Sequence, residues 1–322
     1  MHKRAAHPQS SVFSNKTKGR TVFSSFVRNR TMWLMLLPTI LYVILFSYIP
    51  MSGSWLAFTR FDFNLGLFRS PFVGLANFQY LFKSGILWRL ICNTVLYNLA
   101  FLIAGNAAQI LCAVFLSDLK SKRFVKASQS IIFLPYFISW VLVGLFTYAL
   151  LNIDNGVINT LLRGLGLKEY NFYLKPQAWP FIIVLIQVWK GLGYGSVVYL
   201  SVISSIDQEI YESARIDGAT KWQQIRYMTL PMIKPTFILL VMFNLGGILK
   251  GQFQLFYQLI GDNGLLYNAT DIIDTYVYRS LMVNFDIGMG SAAGVFQSVF
   301  GCLLVLSVNA LVRRWNKDYA LF

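Results

Sequence analysis

The sequence predicts an all-α, polytopic membrane protein with six transmembrane helices and one structured cytoplasmic loop. Three observations carry that prediction. Of 322 residues, 56% are hydrophobic and only 13% are charged, whereas a soluble domain carries about 25% charged residues. Six apolar runs each come near the ~20 residues that span a hydrocarbon core. The net charge of +15 falls in short stretches between those runs, the pattern of a chain held at anionic headgroups. No folded basic region is left to carry nucleic acid, so that partner is not expected.

Residues 1–31 read as a polar cytoplasmic tail with basic residues such as Lys3, Arg4 and Lys16 and no acid. A signal peptide is not expected, because no small-residue cleavage site follows the apolar stretch. Within the tail, Val22, Phe23, Phe26 and Val27 have the spacing of one or two turns of interfacial helix, and a disordered tail is the alternative. Residues 32–92 hold the first span (32–49) and an outer segment. Residues 93–312 hold five more spans, at 93–116, 128–151, 179–202, 236–259 and 287–312, with a loop at 207–235. Residues 313–322 form a cytoplasmic tail. Trp33, Tyr48, Trp179 and Trp315 lie near span ends, where amphipathic rings favour the interface.

Basic residues set the orientation. With the N-terminus inside, the cytoplasmic pieces hold 18 Lys and Arg and the outer pieces 9, which places both termini in the cytoplasm. The three cysteines, Cys92, Cys112 and Cys302, lie in or beside apolar runs and read as small buried thiols. The two histidines, His2 and His7, lie in the tail. No metal site and no Ser-His-Asp enzyme is expected without an imidazole at membrane depth.

The loop beginning at Asp207 is long for a connection between membrane helices. Asp207 suits the cap of a helix whose first turn carries Glu209. Asp217-Gly218 is a stop or turn signal. A second helix is expected from about Thr220 to Thr229, ending before Leu230-Pro231.

Here the chain resembles the permease subunits of ABC importers, which carry Glu-Ala-Ala, three intervening residues and a Gly, nine further residues, and Ile-x-Leu-Pro. This sequence has Glu212-Ser213-Ala214, Gly218, Met228 and Leu230-Pro231 at those spacings; Ser213 and Met228 are mild departures. Tyr211 and Asp217-Gly218-Ala219 resemble the carbohydrate-uptake branch, the maltose-permease type. Weaker matches run through Gly74-Leu75-Ala76-Asn77-Phe78, Asn93-Thr94, Gly156-Val157-Ile158-Asn159 and Gly164-Leu165-Gly166-Leu167.

The resemblance implies a bacterial inner-membrane permease whose loop is a coupling helix docked on an ATPase. It implies a second, homologous permease subunit, two ATPase subunits that bind ATP and Mg, an extracytoplasmic solute-binding protein, and a carbohydrate substrate. This chain is expected to hold no cofactor, no metal and no catalytic residue, and it contains no Walker A sequence.

Gly191, Gly193 and Gly195 lack the strand and soluble unit of a dinucleotide site and read as points of close approach. Gly290 and Gly294 read as a helix-packing face. Lys190 and Lys250 lie within spans, and a charge at membrane depth faces a cavity or a partner. Gln187, Trp189, Tyr194, Asn244, Gln252, Gln254 and Tyr257 around them offer aromatic platforms and polar groups for a sugar. The resemblance points to Gln187, Lys190, Gly191 and Tyr194, then to Phe243, Gly247 and Lys250, as the substrate path. If both lysines face the cavity, they favour an acidic, uronate-bearing oligosaccharide; a neutral one is the alternative. A secondary transporter would need intramembrane acids or an internal repeat, and an intramembrane enzyme a catalytic constellation; the spans supply neither.

Gly218 generates the first prediction. A side chain there strains a φ > 0 turn by ~1 kcal/mol or more. Gly218→Asp is expected to leave the protein in the membrane but to uncouple transport from ATP hydrolysis. Normal uptake and substrate-stimulated ATPase activity in that variant would contradict this.

Overall fold

The computed structural model describes residues 30–315. The basic tail with its candidate interfacial turn, the two histidines and residues 316–322 lie outside the described residues. Among the described residues the regular elements are helices, joined by one antiparallel bridge between Thr59 and Phe72.

The chain divides into two compact units, the first ending at Gly53. The described part of the first unit is helix α1 (Arg30–Val43), which continues through Ile44–Tyr48 and Ile49–Met51. Pro50 has no N–H to give to the carbonyl four residues back. The turn before it widens, and the Ile49 N–H donates to Ile44 five residues earlier.

The second unit carries the remaining spans. Helix α2 (Ala76–Lys83) precedes α3 (Ile86–Ser117), which begins seven residues before the expected start of its span at 93. Helices α4 (Lys122–Phe137) and α5 (Trp140–Leu151) follow, then short α6 (Val157–Gly164) and long α7 (Trp179–Ser204). After the loop helices α8 (Gln208–Ile216) and α9 (Lys221–Gln224) come α10 (Leu230–Leu245), α11 (Phe253–Ile260), α12 (Tyr267–Thr270), α13 (Ile273–Met282) and α14 (Ile287–Trp315). Five helical runs are long and apolar enough to cross a membrane, and the bent pair α4–α5 makes a sixth if it counts as one span.

Three sequence expectations are corrected here. The span at 128–151 is not one helix: α4 and α5 meet at 95°. Pro135 removes a helical donor, and Ser139 starts a new helix by accepting from the Leu142 N–H at 3.4 Å. The span at 236–259 is broken after Leu245, and residues 246–252 form turns before α11. Conversely, the helix expected to stop before Leu230-Pro231 does not stop. Pro231 lacks the N–H that would serve Tyr227, and the Leu230 N–H donates five residues back to Ile225. That widened turn absorbs the proline, so helix runs from Lys221 to Leu245.

The core forms where α3 and α7 pack along their lengths. At one end Trp179, Ile183, Tyr97, Phe256 and Leu266 are buried together, and at the other Ala113, Tyr199, Leu200 and Ile233. In lipid such helices gain little from hiding apolar surface and rely on close packing and interhelical hydrogen bonds. Tyr199 Oη donates to Asn106 Oδ1 at 2.6 Å across this seam. Glycine lets α7 approach α4: a Cβ on Gly193 would sit 2.5 Å from the Ile132 carbonyl oxygen and the Phe133 Cα. The Gly290 position packs on Leu281 and Ser280 of α13, while a Cβ on Gly294 would meet nothing within 4 Å among the described residues.

Backbone atoms cannot rotate away, so a larger residue at 193 must part the two helices. Gly193→Leu is expected to lower stability by about 3 kcal/mol and to depress the thermal midpoint of the assembled transporter. Gly164→Ala, where no atom lies within 4 Å, serves as the control. Equal midpoints for the two variants would show that the α4–α7 approach is not required.

Candidate functional site: an amide-lined cavity and a cytoplasmic helix pair

The loop builds two helices set against each other. Asp207 caps α8 by accepting from the Glu209 N–H at 3.0 Å. At the far end Gly218 takes φ +80°. Its N–H donates to Arg215 at 3.1 Å, and the Ala219 N–H to Ala214 at 2.8 Å. This is a Schellman stop, for which glycine is suited because it has no Cβ. Thr220 then opens α9 with a capping box: it accepts from the Gln223 N–H, while Gln223 Oε1 accepts from the Thr220 N–H at 2.7 Å. Tyr211 Oη and Thr229 Oγ1, 2.9 Å apart, and Gln224 Nε2 on the Ala219 carbonyl at 3.2 Å hold the pair together. Lys221 pairs with Asp118 at the end of α3.

Ala214 is buried, whereas Glu212, Ser213, Asp217, Gly218, Leu230 and Pro231 are exposed. A shallow groove beside α8 is lined by Ile210, Ser213, Ala214, Asp217, Ala219 and Met228. Ile216 and Trp222 are 87% and 66% exposed, apolar surface left uncovered among the described residues.

Deeper in the chain, α3, α7 and α10 enclose a cavity of about 320 Å³, closed on one side by Tyr136 of α4. Gln187, Gly191 and Tyr194 of α7 line it, as do Phe243 and Asn244 of α10. Gln252, also expected from the sequence, joins them after the break, and the remaining polar wall comes from residues not singled out in the sequence: Asn98, Asn106 and Gln109 of α3. Their signal was present, since amides at membrane depth on one face of an apolar helix are costly without a cavity or partner.

Several of these amides are committed. Gln109 Nε2 donates to the Gly191 carbonyl at 3.2 Å, and Asn98 Nδ2 to the Ile248 carbonyl at 3.0 Å. Gln187 Oε1 is buried and accepts no hydrogen bond among the described residues. The Tyr136 and Tyr194 rings stack with centroids 5.3 Å apart at 15°. No Lys, Arg, Asp or Glu is among the lining residues.

The lysines therefore stand elsewhere. Lys190 is buried; its ammonium donates to the carbonyls of Pro135 at 3.1 Å, Tyr136 at 3.0 Å and Ile138, and lies 5.1 Å from the Trp140 ring centroid. It has a partner in the corner between α4 and α5 and does not line the cavity. Lys250 lies in the break after α10, beside a second cavity of about 420 Å³ shared with Gly247, Asp274 and Gln297. Asp274 is the acid that faces it. The Asp274 Oδ2 accepts from the Gly251 N–H at 2.6 Å and from Gln297 Nε2 at 2.9 Å. Burial pushes this carboxyl above the usual carboxylate range, opposed by those two hydrogen bonds and by the charge of Lys250. Trp189 and Tyr257 are also outside the first cavity; Tyr257 packs on Phe253 and Tyr278, with centroids 5.1 and 4.9 Å away.

Residues 109–317 match the family described as binding-protein-dependent transport system inner membrane component. The chain belongs to that family. It is a multi-pass membrane permease of a sugar ABC importer, not a catalytic enzyme. Among its relatives is the polygalacturonan/rhamnogalacturonan transport system permease protein YteP of Bacillus subtilis, 31% identical over 95% of each chain. The Protein LplB of the same organism is 30% identical over 94% of each chain. A chain of a bacterial alginate ABC transporter, solved in complex with alginate pentasaccharide-bound periplasmic protein, superposes with a TM-score of 0.80. It is 35% identical, and the match covers 92% of this permease and 98% of that chain.

Proposed function

We propose that this permease forms half of the membrane path for a uronate-bearing oligosaccharide, and that the α3–α7–α10 cavity is its sugar site. The observation that carries the reading is the lining itself. Amides supply donors and acceptors for hydroxyls, and a tyrosine pair supplies a flat face for sugar C–H groups. The buried, unpartnered Gln187 Oε1 is an acceptor waiting for a hydroxyl donor. The acidic class rests on the polygalacturonan/rhamnogalacturonan and alginate relatives. A carboxylate here would be met by amide N–H and tyrosine O–H groups of this chain, and by the facing subunit. The cation-free lining also favours a second reading, a neutral oligosaccharide, which is the cargo named for the trehalose/maltose relative of Thermococcus litoralis, 27% identical over 291 residues.

The assembly is a heterodimer with a second permease, two ATPase subunits that hold ATP and Mg, and a solute-binding protein outside. Both termini face the cytoplasm of a bacterial inner membrane, in line with the basic residues of the loops. The α8–α9 pair, through Glu212 to Pro231, docks on an ATPase. The helix that leaves this pair reaches Phe243 and Asn244 in the cavity, so a shift of the docked loop moves the cavity wall.

The test is uptake into proteoliposomes containing the whole complex and its binding protein. Sugars of equal length are offered, one a uronate oligosaccharide and one its carboxyl-reduced form. The uronate is expected to be imported in preference, and Gln187→Leu to reduce that import about fivefold through one lost hydrogen bond. Preference for the reduced sugar would favour the neutral reading. Wild-type import by Gln187→Leu would remove the cavity from the path.

A further inference from the structure

Helix α4 ends at Phe137, where the Ile138 N–H donates to the Pro135 carbonyl at 3.2 Å and the chain then bends by 95° into α5. The last carbonyls of a helix have no partner within it, and in lipid no water replaces one. Here the Lys190 ammonium supplies donors to the carbonyls around the bend. It has three N–H donors, and three carbonyls, those of Pro135, Tyr136 and Ile138, receive them. A cation also suits the negative end of α4 and the face of the Trp140 ring. With its donors committed and only 9% of its surface exposed, Lys190 has nothing left for a ligand.

What the corner holds is a wall of the cavity. Tyr136 lies between two of the bonded carbonyls, and its ring stacks on Tyr194, one turn along α7 from Lys190. Gly193, between them on α7, lets the backbones close to a distance no Cβ would allow. One turn of α7 thus binds the corner by its charge and meets the corner's aromatic ring with its own.

We propose that Lys190 is a positioning residue for substrate: it sets Tyr136 against Tyr194 so that the pair presents one aromatic face to the sugar. The inference rests on the reading of the cavity as the sugar path and assigns the lysine a part in affinity without contact or charge recognition.

The test uses the whole transporter in proteoliposomes and compares Lys190→Met, Tyr136→Leu and the double variant by the sugar dependence of uptake. Loss of the aromatic face is expected to raise the half-saturating concentration about fivefold. Lys190→Met should do the same, for uronate and carboxyl-reduced sugar alike, with the maximal rate within about twofold of wild type and basal ATPase activity unchanged. The double variant should match Tyr136→Leu alone, because the lysine acts through that ring. If Lys190→Met does not accumulate in the membrane, Lys190→Gln, which keeps two donors, takes its place in the same cycle.

Multiplying effects in the double variant would overturn the inference while leaving the cavity reading intact, as would a loss confined to the uronate. Wild-type half-saturation in Tyr136→Leu would overturn both.

Discussion

Backbone polar groups inside a bilayer must find partners within the protein. This permease meets that demand at two helix breaks with side chains from other helices. At the first, Lys190 of α7 donates to three carbonyls around the end of α4. At the second, between α10 and α11, Asn98 takes the Ile248 carbonyl, Gln297 takes the Leu249 carbonyl at 2.7 Å, and Asp274 takes the Gly251 N–H. The cavity lies between these repairs: Tyr136 comes from the first break, Ile248 and Gln252 from the second. Irregular backbone at membrane depth is tolerated where protein or a cavity surrounds it, and here it supplies part of the cavity wall.

Prolines produce the opposite result where the helix widens instead of breaking. Ahead of Pro50 and ahead of Pro231 one residue donates five places back, and the helix continues. The second case joins the cytoplasmic pair to the cavity. From Lys221 to Leu245 the helix is unbroken, with a motif residue, Pro231, in its path and two cavity residues, Phe243 and Asn244, near its end. The Leu-Pro of the motif reads from sequence as a stop, yet in the fold it is a passage.

Much of the architecture was legible. Apolar length located the spans, and the cap at Asp207, the stop at Gly218 and the restart at Thr220 followed from local chemistry that needs no tertiary context. The breaks were hidden because hydropathy averages over them: Ile138-Ser139 and Gly246-Gly247 sit in apolar surroundings and look like ordinary span residues. The lysines show the limit most clearly. Sequence reveals that a charge lies at membrane depth but not which carbonyls bend round to meet it. The argument for an anionic cargo from Lys190 and Lys250 therefore has no support in the cavity, and the acidic class now rests on relatives instead. Asn98, Asn106 and Gln109 were visible as amides in an apolar helix, but only packing decides which amide faces a cavity and which bonds a neighbour.

The central claim is that sugar passes between α3, α7 and α10. It is tested most directly by photolabelling the assembled transporter with a uronate oligosaccharide that carries a diazirine, then mapping the labelled peptides by mass spectrometry. Label on the peptides holding Tyr194 and Asn244, suppressed by excess unlabelled sugar, is the predicted result. Suppressible label confined to the second cavity, around Lys250 and Asp274, would contradict the account.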